Sequence, residues 1–230
     1  GVDPAELSGW RARDIAAELA EGRPFPVYLG NDATAACGAE LVFGDQDKPR
    51  EFLYFYVGFF IGGGLALDNS LYFGPTRNAA ALGSMPVSIE DGHTRHLVDV
   101  ASLALLSSAV ESAGAAATMN WDAPETWRIP PDLRAAWMDR AAAGIAQATL
   151  SAASLIDYRC AVLDGWMPAD MRAELVRLVN ARIAETRVEG IAKPEMREGR
   201  VGPDARSLGA ASLPLSERFL VDRSASRTGR

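Results

Sequence analysis

The sequence contains little of the chemistry that cross-links a chain or holds a metal: its 230 residues include two cysteines and two histidines. Two cysteines are too few for a disulfide framework, and we expect Cys37 and Cys160 to be buried as small apolar side chains. His93 and His96 lie in a loop-rich stretch without cysteine, whereas a structural zinc ion normally takes four ligands. We therefore expect no metal site and interpret both histidines as exposed loop residues.

Basic residues are also in deficit. Lysine and arginine number 23 against 30 aspartates and glutamates, which gives a net charge of −7. Neutralising the phosphates of a nucleic acid requires a basic surface, so we do not expect this segment itself to bind DNA or RNA. DNA binding by a separate basic domain is compatible with this charge.

Long apolar runs are missing as well. No stretch approaches the roughly 20 apolar residues with which a helix crosses a bilayer. Residues 1–6 lack the apolar core of a signal peptide. We therefore expect no membrane contact and a cytoplasmic location.

The rest of the composition is that of an ordinary globular protein, with 48% hydrophobic and 23% charged residues. The length is enough for one large or two small domains. Hydrophobic periodicity and turn residues predict alternating strands and helices, and hence an α/β fold. The predicted strands span 25–30, 52–58, 60–67, 70–73 and 159–163. The predicted helices span 11–20, 32–43, 97–113, 132–157, 168–186 and 209–219. Two less regular segments are a linker or surface loop at 114–133 and a strand with a turn within 187–206.

One junction combines an apolar run with polar side chains suited to binding. Residues 25–29 are apolar and are followed by Gly30, Asn31 and Asp32, after which the small-residue helix begins. Ligands of open α/β sheets bind at the carboxyl ends of strands. There Asp32 would accept a proton from a bound hydroxyl group, and Asn31 would orient that group. The alternative is that Asp32 only caps the helix, since aspartate is a preferred N-cap residue.

A glycine triplet, Gly62, Gly63 and Gly64, lies between two β-rich runs, and Asp68-Asn69-Ser70 is typical of a hairpin turn. Glycine weakens a strand, so the triplet indicates that something approaches the backbone closely. Either the glycines form a bulge or bend at a sheet edge, or their backbone N–H groups face a sugar or a phosphate.

These two segments resemble the ROK family of bacterial sugar kinases and sugar-responsive transcriptional regulators. Two more segments resemble the family in the same order. Residues 74–87 correspond to the stretch that carries its sugar-binding Glu and His, and residues 207–211 to the start of its C-terminal helix. The resemblance implies an α/β, actin-like ATPase (RNase H-like) fold, with a mixed sheet flanked by helices and an incomplete first lobe. It also makes Asp32 the counterpart of the family's catalytic aspartate.

The departures from the family pattern favour a regulator. Ala81 and Ser84 stand where kinases have the Glu and His of an E-x-G-H motif, and Phe60 stands where glycine is usual. The family's cluster of zinc-binding cysteines is missing too. The resemblance therefore implies the sugar-binding and oligomerisation part of a transcriptional regulator that forms a homodimer and contacts DNA only through a domain upstream of this chain. The alternatives are a sugar kinase, with Asp32 catalytic and ATP and Mg²⁺ as cofactors, and an α/β scaffold without a ligand.

The resemblance also implies a ligand site and domain boundaries. A sugar would contact Asn31, Asp32, Gly62, Gly63, Gly64, Asn78 and Ser84. No cofactor is expected unless the chain is a kinase. Residues 1–24 would lead in from a preceding part of the protein, 25–215 would form the RNase H-like lobe, and 216–230 would form a flexible tail.

Asp164 and Gly165 follow the predicted strand 159–163. ROK kinases commonly have two glycines there, close to the nucleotide. A carboxylate near phosphates is unfavourable unless a metal ion intervenes. The simpler interpretation is a turn-forming Asp-Gly pair.

Overall fold

A mixed five-stranded sheet organises the molecule. The computed structural model describes residues 8–9, 13–45, 47, 49–88, 92–114 and 117–219. The strands of this sheet are β1 (Phe52–Val57), β2 (Ile61–Leu67), β3 (Ser70–Leu71), β6 (Cys160–Gly165) and β7 (Glu195–Glu198), in the order β3-β2-β1-β6-β7. β1 pairs antiparallel with β2 and parallel with β6, and β6 pairs parallel with β7. A separate two-stranded sheet pairs β4 (Pro86–Ser88) with β5 (Thr94–His96).

The helices of the described residues connect these strands. They are α1 (Ile15–Ala20), α2 (Asp32–Phe43), α3 (Val98–Ala101), α4 (Leu103–Ala113), α5 (Pro131–Ala153), α6 (Ala169–Glu185) and α7 (Ala205–Phe219). Short 3-10 helices lie at Leu82–Ser84, Pro124–Thr126 and Gly202–Asp204. Within the described part of the chain, no helix is both long and apolar enough to cross a membrane.

Helices cover both faces of the sheet at strand β1. Every residue of this strand is therefore buried. Side chains alternate between the faces of a strand. Phe52, Tyr54 and Tyr56 therefore belong to a cluster that includes residues of α2 and α7. Leu53 and Phe55 belong to a larger cluster that includes residues of α4, α5 and α6. The predicted α/β class, with a mixed sheet flanked by helices, is confirmed.

The prediction of a strand at 25–30 is wrong. In the described residues this segment pairs with no strand, and Phe25 and Leu29 are 55% and 66% exposed. An apolar run becomes a strand only where a neighbouring chain satisfies its backbone N–H and C=O groups. No described strand lies alongside this segment, so its composition alone did not determine its structure.

The predicted helix 97–113 is interrupted, because Ser102 has an extended backbone and separates α3 from α4. Its Oγ accepts a hydrogen bond from Ile61 N–H at 3.1 Å. The next residue, Leu103, donates its N–H to Gly58 O at 3.1 Å. Bonds to the β1–β2 connection thus replace bonds within a continuous helix.

Other boundaries differ by a few residues. The predicted helix at 32–43 and the hairpin turn are confirmed, and Asp68 and Asn69 have φ values of 50° and 58°, as a two-residue hairpin turn requires. The last helix begins at Ala205 rather than at 209. Residues 1–7 and 220–230, in the predicted N-terminal segment and tail, lie outside the described residues, and the domain boundaries stay a prediction.

Candidate functional site

A cavity of about 360 Å³ lies where the N-terminus of α2, the β1–β2 connection, the loop before β4 and the first turn of α7 meet. Its volume is within the range of roughly 300–1,000 Å³ of small-molecule sites. All the predicted ligand-contact residues except Gly64 line it: Asn31, Asp32, Gly62, Gly63, Asn78 and Ser84. The fold thus brings these residues together, and their contact with a ligand stays a prediction.

Asn31 is the residue that caps α2. Its Oδ1 accepts a hydrogen bond from the N–H of Thr34 at 3.0 Å, and its backbone is extended, as is usual for an N-cap. The alternative in which Asp32 is the cap is therefore wrong, since Asp32 is already the first helical residue. In the described part of the chain, the side-chain NH₂ of Asn31 makes no hydrogen bond and is available to a ligand.

Asp32 lies at the positive end of the α2 dipole, where a carboxylate is stabilised. One carboxylate oxygen accepts from Ala33 N–H at 2.9 Å, and the other accepts from Arg206 Nη1 at 3.3 Å. The two charged side chains are 65% and 41% exposed. Solvent screens such a pair, so it contributes about 0–1 kcal/mol to stability. Both groups can exchange partners with a ligand at little cost.

Arg206 and Tyr56 also line this cavity. The guanidinium carbon of Arg206 lies 5.1 Å from the centre of the Tyr56 ring, a cation–π contact. The phenol of Tyr56 donates to Pro203 O at 3.3 Å. Burial raises the pKa of Tyr56 to about 12, and the nearby Arg206 opposes this only in part. Tyr56 is therefore neutral at physiological pH and serves as a flat support for Arg206.

The glycine triplet is explained by packing. A Cβ at Gly63 would lie 2.3 Å from Leu82 Cδ1, and one at Gly64 would lie 2.3 Å from Cys37 Cβ. Gly62 to Gly64 stay in register with β1, so the bulge interpretation is wrong. The expected close approach is present. The groups that approach the glycines belong to α2 and to the 3-10 helix Leu82–Ser84. Gly62 and Gly63 also line the cavity.

The loop before β4 holds unusual backbone conformations beside the cavity. Arg77 and Ala80 have φ values of 56° and 54°, a region that non-glycine residues seldom adopt. Such residues cluster at ligand-binding segments and persist only where the surroundings hold them. The exposed Asn78 and Ser84 line the cavity from this loop.

Two large apolar rings are exposed at the β1–β2 connection. Phe59 and Phe60 are 50% and 51% exposed, and their ring centres lie 5.0 Å apart in an edge-to-face arrangement. Phe59 also packs against Trp121, with ring centres 5.5 Å apart. Both phenylalanines line the cavity, so its lining includes aromatic rings as well as the Asp32–Arg206 pair.

Asp164 is outside this cavity, and the interpretation of Asp164-Gly165 as a turn is wrong. Both residues belong to β6, and the carboxylate is fully buried. It accepts from the backbone N–H groups of Gly165 and Gly202 at 2.9 and 2.8 Å and lies 3.4 Å from Arg172 Nη1. Its oxygens are therefore engaged by the protein itself.

No metal site is assigned. In the part of the chain that the structure describes, no group of three or more His, Cys, Asp and Glu side chains is placed to hold a metal ion. The exposed His96 lies with its Nδ1 3.7 Å from Asp99 Oδ2. The expectation of a metal-free protein stays a prediction.

Four lining residues with large or charged side chains were not among the predicted ligand contacts: Tyr56, Phe59, Phe60 and Arg206. A signal for Arg206 was present, because Pro203 and Asp204 are typical of a helix start and place that arginine in the first turn of α7. Tyr56 and Phe59 had no such signal, since they lie in and beside an apolar strand whose residues all looked like core.

The cap of α2 can be tested by mutation. We expect Asn31→Ala to lower the free energy of unfolding by about 1 kcal/mol, because the N–H of Thr34 loses its acceptor. Asn31→Ser, which keeps a capping oxygen, is the control and should stay within a few tenths of a kcal/mol of the parent. Urea unfolding measures both. Equal losses for the two variants would show that the side chain of Asn31 does not cap the helix.

Comparison with known sequences finds a family model that matches part of the chain. The sequence model of the ROK family matches residues 2–98. The y4fQ protein of Sinorhizobium fredii is 27% identical over 201 residues, which cover 85% of this chain and 48% of that protein. A xylose repressor of Caldicellulosiruptor bescii is 33% identical over 66 residues, or 29% of this chain and 16% of the repressor. The chain thus spans about half of the first relative and less of the second.

Comparison with solved structures finds proteins whose fold is similar to that of this chain. A ROK family glucokinase from Streptomyces griseus, in complex with glucose and AMPPNP, has a TM-score of 0.67 and 19% identity over 86% of this chain and 71% of its own. A ROK family transcriptional regulator, a homologue of the E. coli MLC protein, has a TM-score of 0.62 and 18% identity over 86% of this chain and 54% of its own. At these identities the similarity establishes the fold alone, and the expected actin-like ATPase fold is confirmed.

Proposed function

We propose that the chain is the sugar-binding and oligomerisation portion of a transcriptional regulator of the ROK family, whose sequence model matches residues 2–98. The family neighbours include both kinases and regulators. Curated relatives named xylose repressors support a regulatory role. The chain spans only part of these relatives, so the regulatory activity of the whole protein is likewise proposed.

The residues at positions 81 and 84 carry this proposal. The family resemblance places the sugar-binding Glu and His of the kinases there. Ala81 and Ser84 line the cavity but provide neither a carboxylate nor an imidazole. An effector site needs only different affinities in two states of the protein and no phosphoryl transfer, so it can lack these groups.

The second candidate is a sugar kinase, which the cavity position of Asp32 and the similarity to a glucokinase favour. Phosphoryl transfer depends on positioned cations that neutralise the phosphates, and magnesium is usually held by one or two carboxylates. Among the described residues that line the cavity, Asp32 is the one acidic side chain and Arg206 the one basic side chain, and they pair with each other. Because the two charges pair with each other, this lining suits a neutral ligand better than ATP with magnesium.

Binding and turnover measurements on the 230-residue chain test the proposal. Isothermal titration with neutral pentoses and hexoses should reveal a sugar whose affinity falls roughly ten- to a hundred-fold in Asp32→Ala, since a charge-assisted hydrogen bond contributes on the order of 1.5–3 kcal/mol. Asp132→Ala is the matched control, because Asp132 is also an acidic residue in the first turn of a helix but lies outside the cavity.

A coupled assay with ATP and the same sugars should show no turnover. Sugar-dependent ATP consumption that Asp32→Asn abolishes would contradict the regulator and favour the kinase. Failure of every sugar to bind would contradict both and leave the scaffold alternative.

The wider regulator role has three further parts. We propose that the protein acts as a homodimer in the cytoplasm and that DNA is contacted by parts of the full-length protein beyond this chain. The net charge of −7 supports the last point, because a nucleic acid would be repelled. Light scattering on the purified chain measures the dimer.

A further inference from the structure

The cavity presents a charged pair and an apolar wall to the same small volume. Asp32 and Arg206 contribute a carboxylate and a guanidinium 3.3 Å apart. Phe59 and Phe60 contribute half-exposed rings that touch each other edge to face. Both elements belong to a cavity the size of a small-molecule site, so its ligand must match both.

We propose that Arg206 and Phe60 select the sugar that binds this cavity: Arg206 donates to the hydroxyl group next to the one that Asp32 holds, and the apolar C–H face of the sugar lies on Phe60. The proposal rests on the sugar-binding function above and adds Arg206 and Phe60 as residues that select the ligand.

The hydrogen-bonding capacities of the pair favour adjacent hydroxyls. An ionised carboxylate only accepts and a guanidinium only donates, whereas each hydroxyl does both. One hydroxyl can donate to Asp32 while its neighbour accepts from Arg206, so a diol satisfies the two groups together. The existing bond between them is a single 3.3 Å contact between exposed side chains, which a ligand can replace.

The contact between Arg206 and the Tyr56 ring also favours a role of Arg206 in binding a sugar hydroxyl. Its guanidinium lies over the buried ring of Tyr56, which holds the plane of the group before any ligand arrives. A planar group that is already oriented loses less conformational freedom when it binds. Arg206 has five N–H donors, of which one bonds to Asp32 while the side chain also interacts with Tyr56, so donors remain for a hydroxyl oxygen.

The charge of the cavity favours a neutral ligand over an acidic one. The formal charges of Asp32 and Arg206 cancel, and the other described lining residues are uncharged. An acid or phosphate bound at Arg206 would approach the Asp32 carboxylate closely, and like charges at such distances repel. A neutral sugar meets no such penalty.

The exposed rings account for the other face of the ligand. A sugar ring has a hydroxylated edge and a face of C–H groups, and an aromatic face carries the negative potential that such polarised C–H groups meet favourably. Phe60 lines the same cavity as the polar pair; Phe59 packs against Phe60, and Trp121 packs against Phe59. An apolar wall of this kind with few polar groups is typical of small-ligand sites.

Isothermal titration with neutral sugars, their uronic acids and their phosphates tests the assignment. We expect Arg206→Met to weaken binding of the neutral sugar about tenfold or more, Arg206→Lys to weaken it less, and Phe60→Ala to weaken it several-fold. Arg187→Met and Phe43→Ala alter exposed residues away from the cavity and should leave affinity unchanged. The affinity of the neutral sugar should also change little between low and high salt, whereas that of an anion should fall.

The outcomes separate this inference from the function on which it rests. A sugar that binds the parent and Arg206→Met equally well overturns the role of Arg206 while leaving sugar binding intact. A uronic acid or sugar phosphate that binds more tightly than its neutral parent overturns the neutral ligand. If no sugar binds the parent, both proposals fall together. Circular dichroism of each variant confirms that it is folded, and Arg206→Lys keeps the charge should Arg206→Met prove unstable.

Discussion

Replacing Asp164 with alanine is expected to lower the free energy of unfolding by about 3–5 kcal/mol, the usual cost of removing one partner from a buried ion pair. The carboxylate is fully buried, and its partner Arg172 is 16% exposed. The substitution leaves Arg172 with Glu198 as its remaining counter-ion at 3.4 Å. The backbone N–H groups of Gly165 and Gly202 and the hydroxyl of Tyr54 lose their acceptor.

Asp164→Asn separates the charge from the hydrogen bonds. It keeps a side-chain oxygen of the same size but removes the negative charge, so we expect a smaller loss of about 1–3 kcal/mol. Asp157→Ala is the control, since Asp157 is exposed and should change stability by less than about 0.5 kcal/mol. Urea unfolding followed by circular dichroism measures all three. A loss below 1 kcal/mol for Asp164→Ala would show that the carboxylate does not hold β6 to the 3-10 helix that begins at Gly202.

Gly209→Ala is expected to destabilise the protein by about 2–3 kcal/mol, as overpacking of a tight contact does. A Cβ at Gly209 would lie 1.8 Å from Ala35 O and 2.3 Å from Ala35 C, so α7 and α2 would have to move apart. The sign of the change in the free energy of unfolding shows whether the helices touch at Gly209. In a helix without such a contact, alanine is more stable than glycine by about 1 kcal/mol.

The same substitution should weaken sugar binding, because α2 carries Asp32 and α7 carries Arg206. Ala210→Ser, at the neighbouring exposed position of α7, is the control and should alter stability by about 0.5 kcal/mol or less. Thermal unfolding and titration of the two variants provide the test. A more stable Gly209→Ala protein would show that the helices do not touch there.

Part of the fold could be predicted because its signals are local. The small residues after Asn31 predict α2, and the Asp68-Asn69 pair predicts the hairpin turn that the structure contains. The run of apolar, β-forming residues that predicts β1 is also a local signal. In each case a residue type has its preferred conformation for reasons that involve only its near neighbours along the chain.

The wrong predictions share a different cause. Segment 25–30 has the composition of a strand, yet no described strand pairs with it. The helix at 97–113 has a continuous apolar face, yet Ser102 leaves it to accept a hydrogen bond from Ile61. Both outcomes depend on partners far along the chain, which propensity does not contain.

The candidate site divides in the same way. The sequence by itself determined that Asn31 and Asp32 stand at a helix start, that a glycine triplet needs close packing, and that the chain resembles the ROK family. Only the tertiary structure decided that Arg206 meets Asp32 across 174 residues and that Phe60 shares their cavity. The physical reason is that caps and turns depend on bonds within a few residues. A binding cavity depends instead on which helices the sheet brings into contact.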